Sequence, residues 1–184
     1  DVLVVYKQVE MQFDENGDII VSTDSPMIHT ISCDEKPGIQ AIATTSDDLR
    51  PTEGNGCVYR DYEYKRLGTL SLIAGIDLLT GIAIPVVSET HKSSDFICLL
   101  KKLDEMYLEG DVIRIICDNH SAHKAKEVQN YLATKPEGRY VFVFIPKHAS
   151  WLNLIECFFS KMTKQMLKGI RVKSKQELAD RIYQ

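Results

Sequence analysis

Val112-Ile113-Arg114-Ile115-Ile116-Cys117 runs straight into Asp118-Asn119-His120-Ser121-Ala122-His123, and the reading of this junction decides the fold. A short run that is almost wholly apolar marks a strand covered on both faces. The polar loop after it opens a helix predicted over about 122–133. Tyr140 to Ile145 is a second buried strand, stopped by Pro146. Upstream, Ser93-Ser94 is read as the N-cap of a helix to about Leu108, with Phe96, Leu99, Leu100 and Leu103 on one face. Thr69–Ile76 and Gly81–Val87 flank the short turn Asp77–Thr80 as a hairpin. Met27–Cys33 is a strand that ends at Asp34-Glu35-Lys36-Pro37-Gly38, and a long polar, turn-rich stretch follows to Arg66. Downstream, Ser150 is expected to cap a helix whose Trp151, Ile155, Phe158, Phe159, Met162 and Met166 face inward. Ser174 begins a last helix. The order strand, hairpin, helix, strand, helix, strand, helix predicts an α/β domain: a five-stranded mixed sheet flanked by helices. Residues 1–25 read as a lead-in from an upstream region, and 26–184 as the domain itself.

The 184 residues suit one domain, and 44% hydrophobic with 26% charged residues excludes a disordered or fibrous chain. The longest apolar region, Leu70–Val87, is broken by Asp77, Thr80, Gly81 and Pro85, so no membrane span is expected. Nothing at the N-terminus reads like a signal peptide, so none is expected. The net charge of −4 is unevenly spread: residues 1–53 carry three basic and eleven acidic side chains, the remainder 19 and 15. Lys161, Lys164, Lys168, Arg171, Lys173 and Lys175 fall in a stretch without an acid, read either as a solvated helix face or as a phosphate-binding surface. Five cysteines without a CxxC pair fit a reduced, cytoplasmic protein. Cys33 and Cys117 should point away from the neighbouring acids into the core, since side chains alternate along a strand.

Three carboxylates carry the functional argument. Asp34 and Asp118 each follow a strand, where open α/β sheets collect ligands. Glu156 lies near the start of a late helix, one turn from Asn153 and Ser160. Two Asp and one Glu without thiolates suit hard cations such as Mg²⁺, which favour carboxylate oxygens, and paired ions of that kind serve phosphoryl transfer. The basic loop Lys147-His148-Ala149-Ser150 opens the helix that carries Glu156, a setting for a phosphate backbone.

Asp34-Glu35-Lys36-Pro37, Tyr64-Lys65-Arg66-x-Gly68-Thr69, Asp118-Asn119 with His123, and Pro146-Lys147-His148-x-Ser150-Trp151-Leu152-Asn153-x-x-Glu156 together resemble the DDE transposases of the mariner superfamily, its bacterial insertion-sequence branch most of all. The resemblance covers about Ile31 to Ile170. Asp118 and Glu156 are 38 positions apart, near the upper end of the gap that marks this branch. Ala149 stands where the resemblance would have Gly.

The resemblance implies a ribonuclease H-like fold and a metal-binding, catalytic triad of Asp34, Asp118 and Glu156. It implies two Mg²⁺ or Mn²⁺ ions, and a helix-turn-helix DNA-binding region upstream of this chain. The activity implied is cut-and-paste transposition: hydrolysis at element ends, then strand transfer next to a TA dinucleotide by a homodimer on DNA. The place of action would be the bacterial cytoplasm, at the nucleoid. Residues expected to touch DNA or support the site are Lys36, Asn119, His123, Lys147, His148, Asn153, Lys161, Lys164 and Lys168. His29 is expected in the core or at a strand edge, and Trp151 as a core anchor. Two rivals remain at this point: a ribonuclease H-like nuclease, and an inert remnant that binds DNA or a partner without cutting it.

Overall fold

Strand β1 (Ile28–Thr44) runs through Pro37-Gly38 instead of stopping at Asp34. In the computed structural model, which describes residues 2–21, 25–59 and 62–184, β1 is the centre of the sheet. Asp1 and residues 22–24 of the expected lead-in lie outside the described residues. β1 pairs antiparallel with β2 (Tyr64–Asp77), and β2 with β3 (Ala83–Ser88). On its other edge β1 pairs parallel with β4 (Val112–Cys117), and β4 pairs parallel with β5 (Tyr140–Phe144). The five-stranded mixed sheet has the order β3-β2-β1-β4-β5.

Pro37-Gly38 marks a bulge, where the sequence pattern indicated a strand end. Lys36 pairs with Leu72 but Ile39 with Leu70, so β1 carries one extra residue, and Gly38 sits at φ 70°. Only glycine takes that left-handed backbone without a Cβ penalty. The extra residue reverses the in–out parity of the strand. Ile31 and Cys33 therefore enter the core on one face of the sheet, while Ile39 and Ala41 enter the core on the other. Strand pairing claims both ends of the expected loop, with β1 running to Thr44 and β2 starting at Tyr64.

Helices α1 (Val2–Glu10), α2 (Ser93–Met106), α3 (Lys126–Leu132), α4 (Ile155–Met162) and α5 (Lys175–Tyr183) cover the sheet. α2 and α3 bury Phe96, Leu99, Leu100, Leu103 and Val128 against Ile113 and Ile115 on one face. α4 and α5 bury Ile155, Phe159 and Leu178 against Leu70, Leu72 and Ala74 on the other. α1 joins that second face through Val2 and Val5, against Ile116 and Ile145. The Tyr6 hydroxyl donates to the Leu152 carbonyl, tying α1 to the segment that leads into α4.

Several local expectations change. Lys92, not Ser93-Ser94, caps α2, and Asp95 accepts from its backbone N–H at 2.8 Å. The helix expected over 122–133 divides into a 3₁₀ turn, Ser121–Lys124, and α3. Ser150 caps nothing. It begins a 3₁₀ turn, Ser150–Leu152, and α4 starts only at Ile155. Trp151 is consequently 76% exposed instead of anchored in the core, because the inward place in this segment is taken by the buried side chain of Asn153. α4 continues into a π turn, Thr163–Leu167, which leaves Met166 only partly buried.

Cys33 and Cys117 are buried and unbridged in the α2 core, on adjacent parallel strands and on the face away from Asp34. Burial pushes the Cys117 thiol up to about 12 and the Cys33 thiol well above its ordinary value. Both act as small apolar fillers. His29 is a core histidine at the far end of the sheet, stacked on Tyr107 and 3.1 Å from Asp111. Among the described residues no helix is long and apolar enough to cross a membrane.

Candidate active site

The parallel register of β1 and β4 sets Ser32 opposite Ile116. Asp34 and Asp118, each two residues further on, therefore emerge side by side. Asp34 is half-buried, and its Oδ1 accepts from the Glu35 backbone N–H at 2.8 Å. Its Oδ2 accepts from Asn153 Nδ2 at 3.1 Å.

Asn153 is the hub of this region. Its Nδ2 also donates to the Cys33 carbonyl at 3.0 Å, and its Oδ1 accepts from Ser32 Oγ at 2.5 Å. Ser32 Oγ in turn accepts from the Ile155 N–H at 3.0 Å, which satisfies an otherwise orphaned donor at the start of α4. The first turn of α4, which carries Glu156, is thus bonded directly to β1. Sequence reasoning missed Ser32. Its one signal was a small polar residue two positions before Asp34, on the same face of an apolar strand.

Burial pushes the Asp34 carboxyl above its ordinary value, and the charges of Glu156 and Asp118 push it further. Asp34 thus feels both of the other acids. Asp118 stands at the mouth of the site with its side chain 49% exposed, and its Oδ1 accepts from the His120 N–H at 3.0 Å. Glu156 is exposed on the first turn of α4.

Behind Asp34, on the opposite face of β1, lies Glu35, with its side chain only 12% exposed. Burial pushes this carboxyl up to about 7, helped by Asp34 and Asp118. His123, which the motifs had singled out, is buried beside it. Its Nε2 lies 3.2 Å from Asp118 Oδ1 and 3.6 Å from Glu35 Oε1. Burial holds the His123 imidazole below its ordinary value, against the opposing pull of Asp118. Glu35 was quoted in the sequence motif without a role. Strand alternation was the signal that would have placed it opposite Asp34.

The raised Glu35 carboxyl carries a stability prediction. A carboxyl raised by folding disfavours its ion in the folded state, so its contribution is intact below about 4.5 and is lost as pH rises through about 7. Glu35→Gln should therefore stabilise the metal-free protein at pH 8 by up to about 3 kcal/mol and have little effect near pH 4.5. Urea unfolding in EDTA at both pH values checks this. Equal effects at the two would refute it.

Beside Asp118 a cleft of about 380 Å³ is lined by Asn119, His120, Ile145, Pro146, Lys147, His148 and Ser150. The acid and the basic loop are thus brought together. His148 adopts φ 65°, and this left-handed residue turns the loop. Ala149 lies at φ −120°, a backbone open to any residue, so alanine costs nothing there. Lys36 follows Asp34 on the same face of β1, with its ammonium 6.0 Å from the Phe159 ring centre. Lys161, Lys164 and Lys168 are exposed along α4 and the π turn, on the run leading away from Glu156.

A central strand flanked by one antiparallel and one parallel neighbour, with acids on it and after the parallel one and a third on a helix bonded to it, defines the ribonuclease H-like class. A family model described as DDE superfamily endonuclease matches residues 31–179, and the chain belongs to that family. This bears out the resemblance drawn from the motifs. An insertion element IS630 uncharacterized 39 kDa protein of Shigella sonnei is 27% identical over 103 residues, 56% of this chain and 29% of that protein. Among solved structures, the Mos1 transposase paired-end complex with left transposon end matches 98% of this chain and 51% of that chain, with a TM-score of 0.56 at 14% identity. The Mos1 strand transfer complex matches 98% of this chain and 50% of that chain, with a TM-score of 0.56 at 12% identity. At such identities the likeness shows the fold alone. The chain spans under a third of the IS630 protein and about half of each Mos1 chain.

Proposed function

We propose that this chain is the catalytic domain of a cut-and-paste DNA transposase, in which Asp34, Asp118 and Glu156 hold two divalent cations. The observation that carries the reading is the bonded pair Ser32–Asn153, in which Asn153 holds Asp34 and Ser32 receives the Ile155 N–H at the start of the Glu156 helix, at one strand end beside Asp118. The donor set fits Mg²⁺ or Mn²⁺: the three carboxylates are hard oxygen donors, and the Asp34 carboxyl, raised first by burial, is raised further by the charges of Glu156 and Asp118. When bound, such ions activate an attacking oxygen and neutralise charge on the leaving one.

The chain's own residues do the rest. Asn153 fixes the Asp34 carboxylate, and the His120 N–H fixes that of Asp118. Lys147 and His148 offer positive charge and N–H donors to a phosphate beside Asp118, and Trp151 presents an exposed ring on which a base can stack. Hydrolysis at an element end leaves a 3′-hydroxyl, whose oxygen then attacks a target phosphodiester. The proposal extends to a homodimer on DNA, insertion next to TA, and action at the nucleoid in the cytoplasm. It also takes residues 1–25 as the link from an upstream DNA-binding region, with the catalytic domain over 26–184.

The test is divalent-cation-dependent cleavage and strand transfer by the intact protein, on DNA carrying the terminal repeats of its own element. Single variants of the three acids serve as controls. Strand transfer separates a transposase from a nuclease of the same fold.

Binding is tested separately. Changing Lys161, Lys164 and Lys168 to Gln should weaken DNA binding with little sequence preference and flatten its salt dependence by roughly 0.9 for each phosphate no longer neutralised. A triple variant that binds like wild type at every salt concentration would make this run a solvated face.

A further inference from the structure

Glu35, Asp118 and His123 form a second cluster, on the side of β1 away from Asn153. One ligand atom from each lies within 4.8 Å of the other two. The His123 side chain is wholly buried and wedged by the Phe96 ring at 4.4 Å. Its Nε2 points at the two carboxylates, yet neither contact is aligned as a hydrogen bond. His123 Nε2 and Glu35 Oε1 are both buried without a hydrogen-bond partner among the described residues. Buried polar atoms in a native fold are rarely left unpaired, and such exceptions call for an explanation.

We propose that Glu35, Asp118 and His123 are a binding site for a first-row transition-metal dication, with His123 Nε2 supplying a nitrogen ligand. One cation would satisfy the imidazole lone pair and both carboxylate oxygens together. The mixed set also fixes the class of ion. Imidazole suits first-row dications such as Fe²⁺, Ni²⁺ and Zn²⁺, and Mn²⁺, the weakest binder of that series, serves as their paramagnetic probe, whereas Mg²⁺ prefers oxygen alone. The groups proposed to hold ions on the other side, Asp34, Asp118 and Glu156, are all carboxylates, so the two sides of β1 would differ in the ion they select. Asp118 belongs to both. The proposal meets the proposed function at that residue and does not depend on DNA cleavage.

The experiment is pulsed electron paramagnetic resonance of Mn²⁺ bound to the intact protein, with binding isotherms for Mn²⁺ and Mg²⁺. Wild type should show ¹⁴N modulation from a coordinated imidazole. The double variant Asp34→Asn, Glu156→Gln should keep that modulation while losing the capacity to cut. His123→Gln, close to isosteric, should abolish it and weaken Mn²⁺ binding about tenfold or more, with about a twofold change or less for Mg²⁺. Its thermal unfolding in EDTA shows whether it is folded. Mn²⁺ bound to wild type without ¹⁴N modulation would overturn the proposal even if His123→Gln failed to fold. That result would leave the DDE reading untouched. Conversely, a double variant that still cuts DNA would defeat the DDE reading while leaving the nitrogen signal in place.

Discussion

Asp118→Asn should lower strand cleavage about a thousandfold or more, which is about 4 kcal/mol of transition-state stabilisation, and leave DNA affinity equal or slightly higher. The two effects separate because they come from different parts of the side chain. An amide oxygen at this position can still accept from the His120 N–H, as Asp118 Oδ1 does at 3.0 Å, so the turn after β4 keeps its shape. What is lost is one anionic ligand. What is removed with it is one negative charge facing a polyanion, so the phosphate backbone is repelled less. A cleavage time course in Mn²⁺ beside a salt titration of binding reads both quantities. A variant that cuts at the normal rate would end the proposed function.

Asn153→Ala should cost about 3 kcal/mol of stability, because it removes the acceptor of the buried Ser32 hydroxyl and the side-chain donors to the Cys33 carbonyl and Asp34. For a chain of this length that is a fall of roughly 6–12 °C in Tm. Activity should fall further than stability explains. With the Asn153 bonds gone, neither the Asp34 carboxylate nor the Ser32 hydroxyl that receives the Ile155 N–H is held in place, so Asp34 and Glu156 lose their fixed relation, and a displacement of about 1 Å can cost about a hundredfold in rate. The Asn153 side chain bonds Ser32, Cys33 and Asp34, none of which lines the cleft beside Asp118, and its backbone bond to Ser150 survives the substitution, so binding measured well below the transition should stay within about twofold of wild type. A variant with unchanged Tm would show that the hub contributes nothing to the fold. Unchanged cleavage would show that the relation between the two acids is fixed elsewhere.

Strand β4 was legible because a strand covered on both faces must be apolar at nearly every position, and no surface helix reads that way. β5 has the same apolar run and is a strand, but it lies at the sheet edge with Val141 and Phe144 exposed instead of buried. The hairpin and α2 followed from short-range turn and capping chemistry, with errors of a few residues at their ends. The acids were legible as types at strand and helix ends, and through motifs whose spacing is local. The course of β1 past Asp34 was not. Pro37-Gly38 has the same local chemistry in a turn and in a bulge, and only pairing with β2 chose the bulge. Trp151 was misplaced for a related reason: an aromatic residue after Ser150 fits a helix stripe, until a neighbouring Asn claims the inward position.

By itself, then, the sequence determined the α/β class, the five strands and the buried cysteines, and it singled out the three acids on which the proposed function rests, all through patterning within a few residues. Tertiary structure alone decided the parity reversal in β1, the Ser32–Asn153 bonds and the meeting of Glu35 with His123. Each of these joins residues far apart in sequence: Ser32 and Asn153 are 121 positions apart. A hydrogen bond over that distance leaves no local pattern in either segment, because the geometry that makes it exists only after the sheet has paired and α4 has docked.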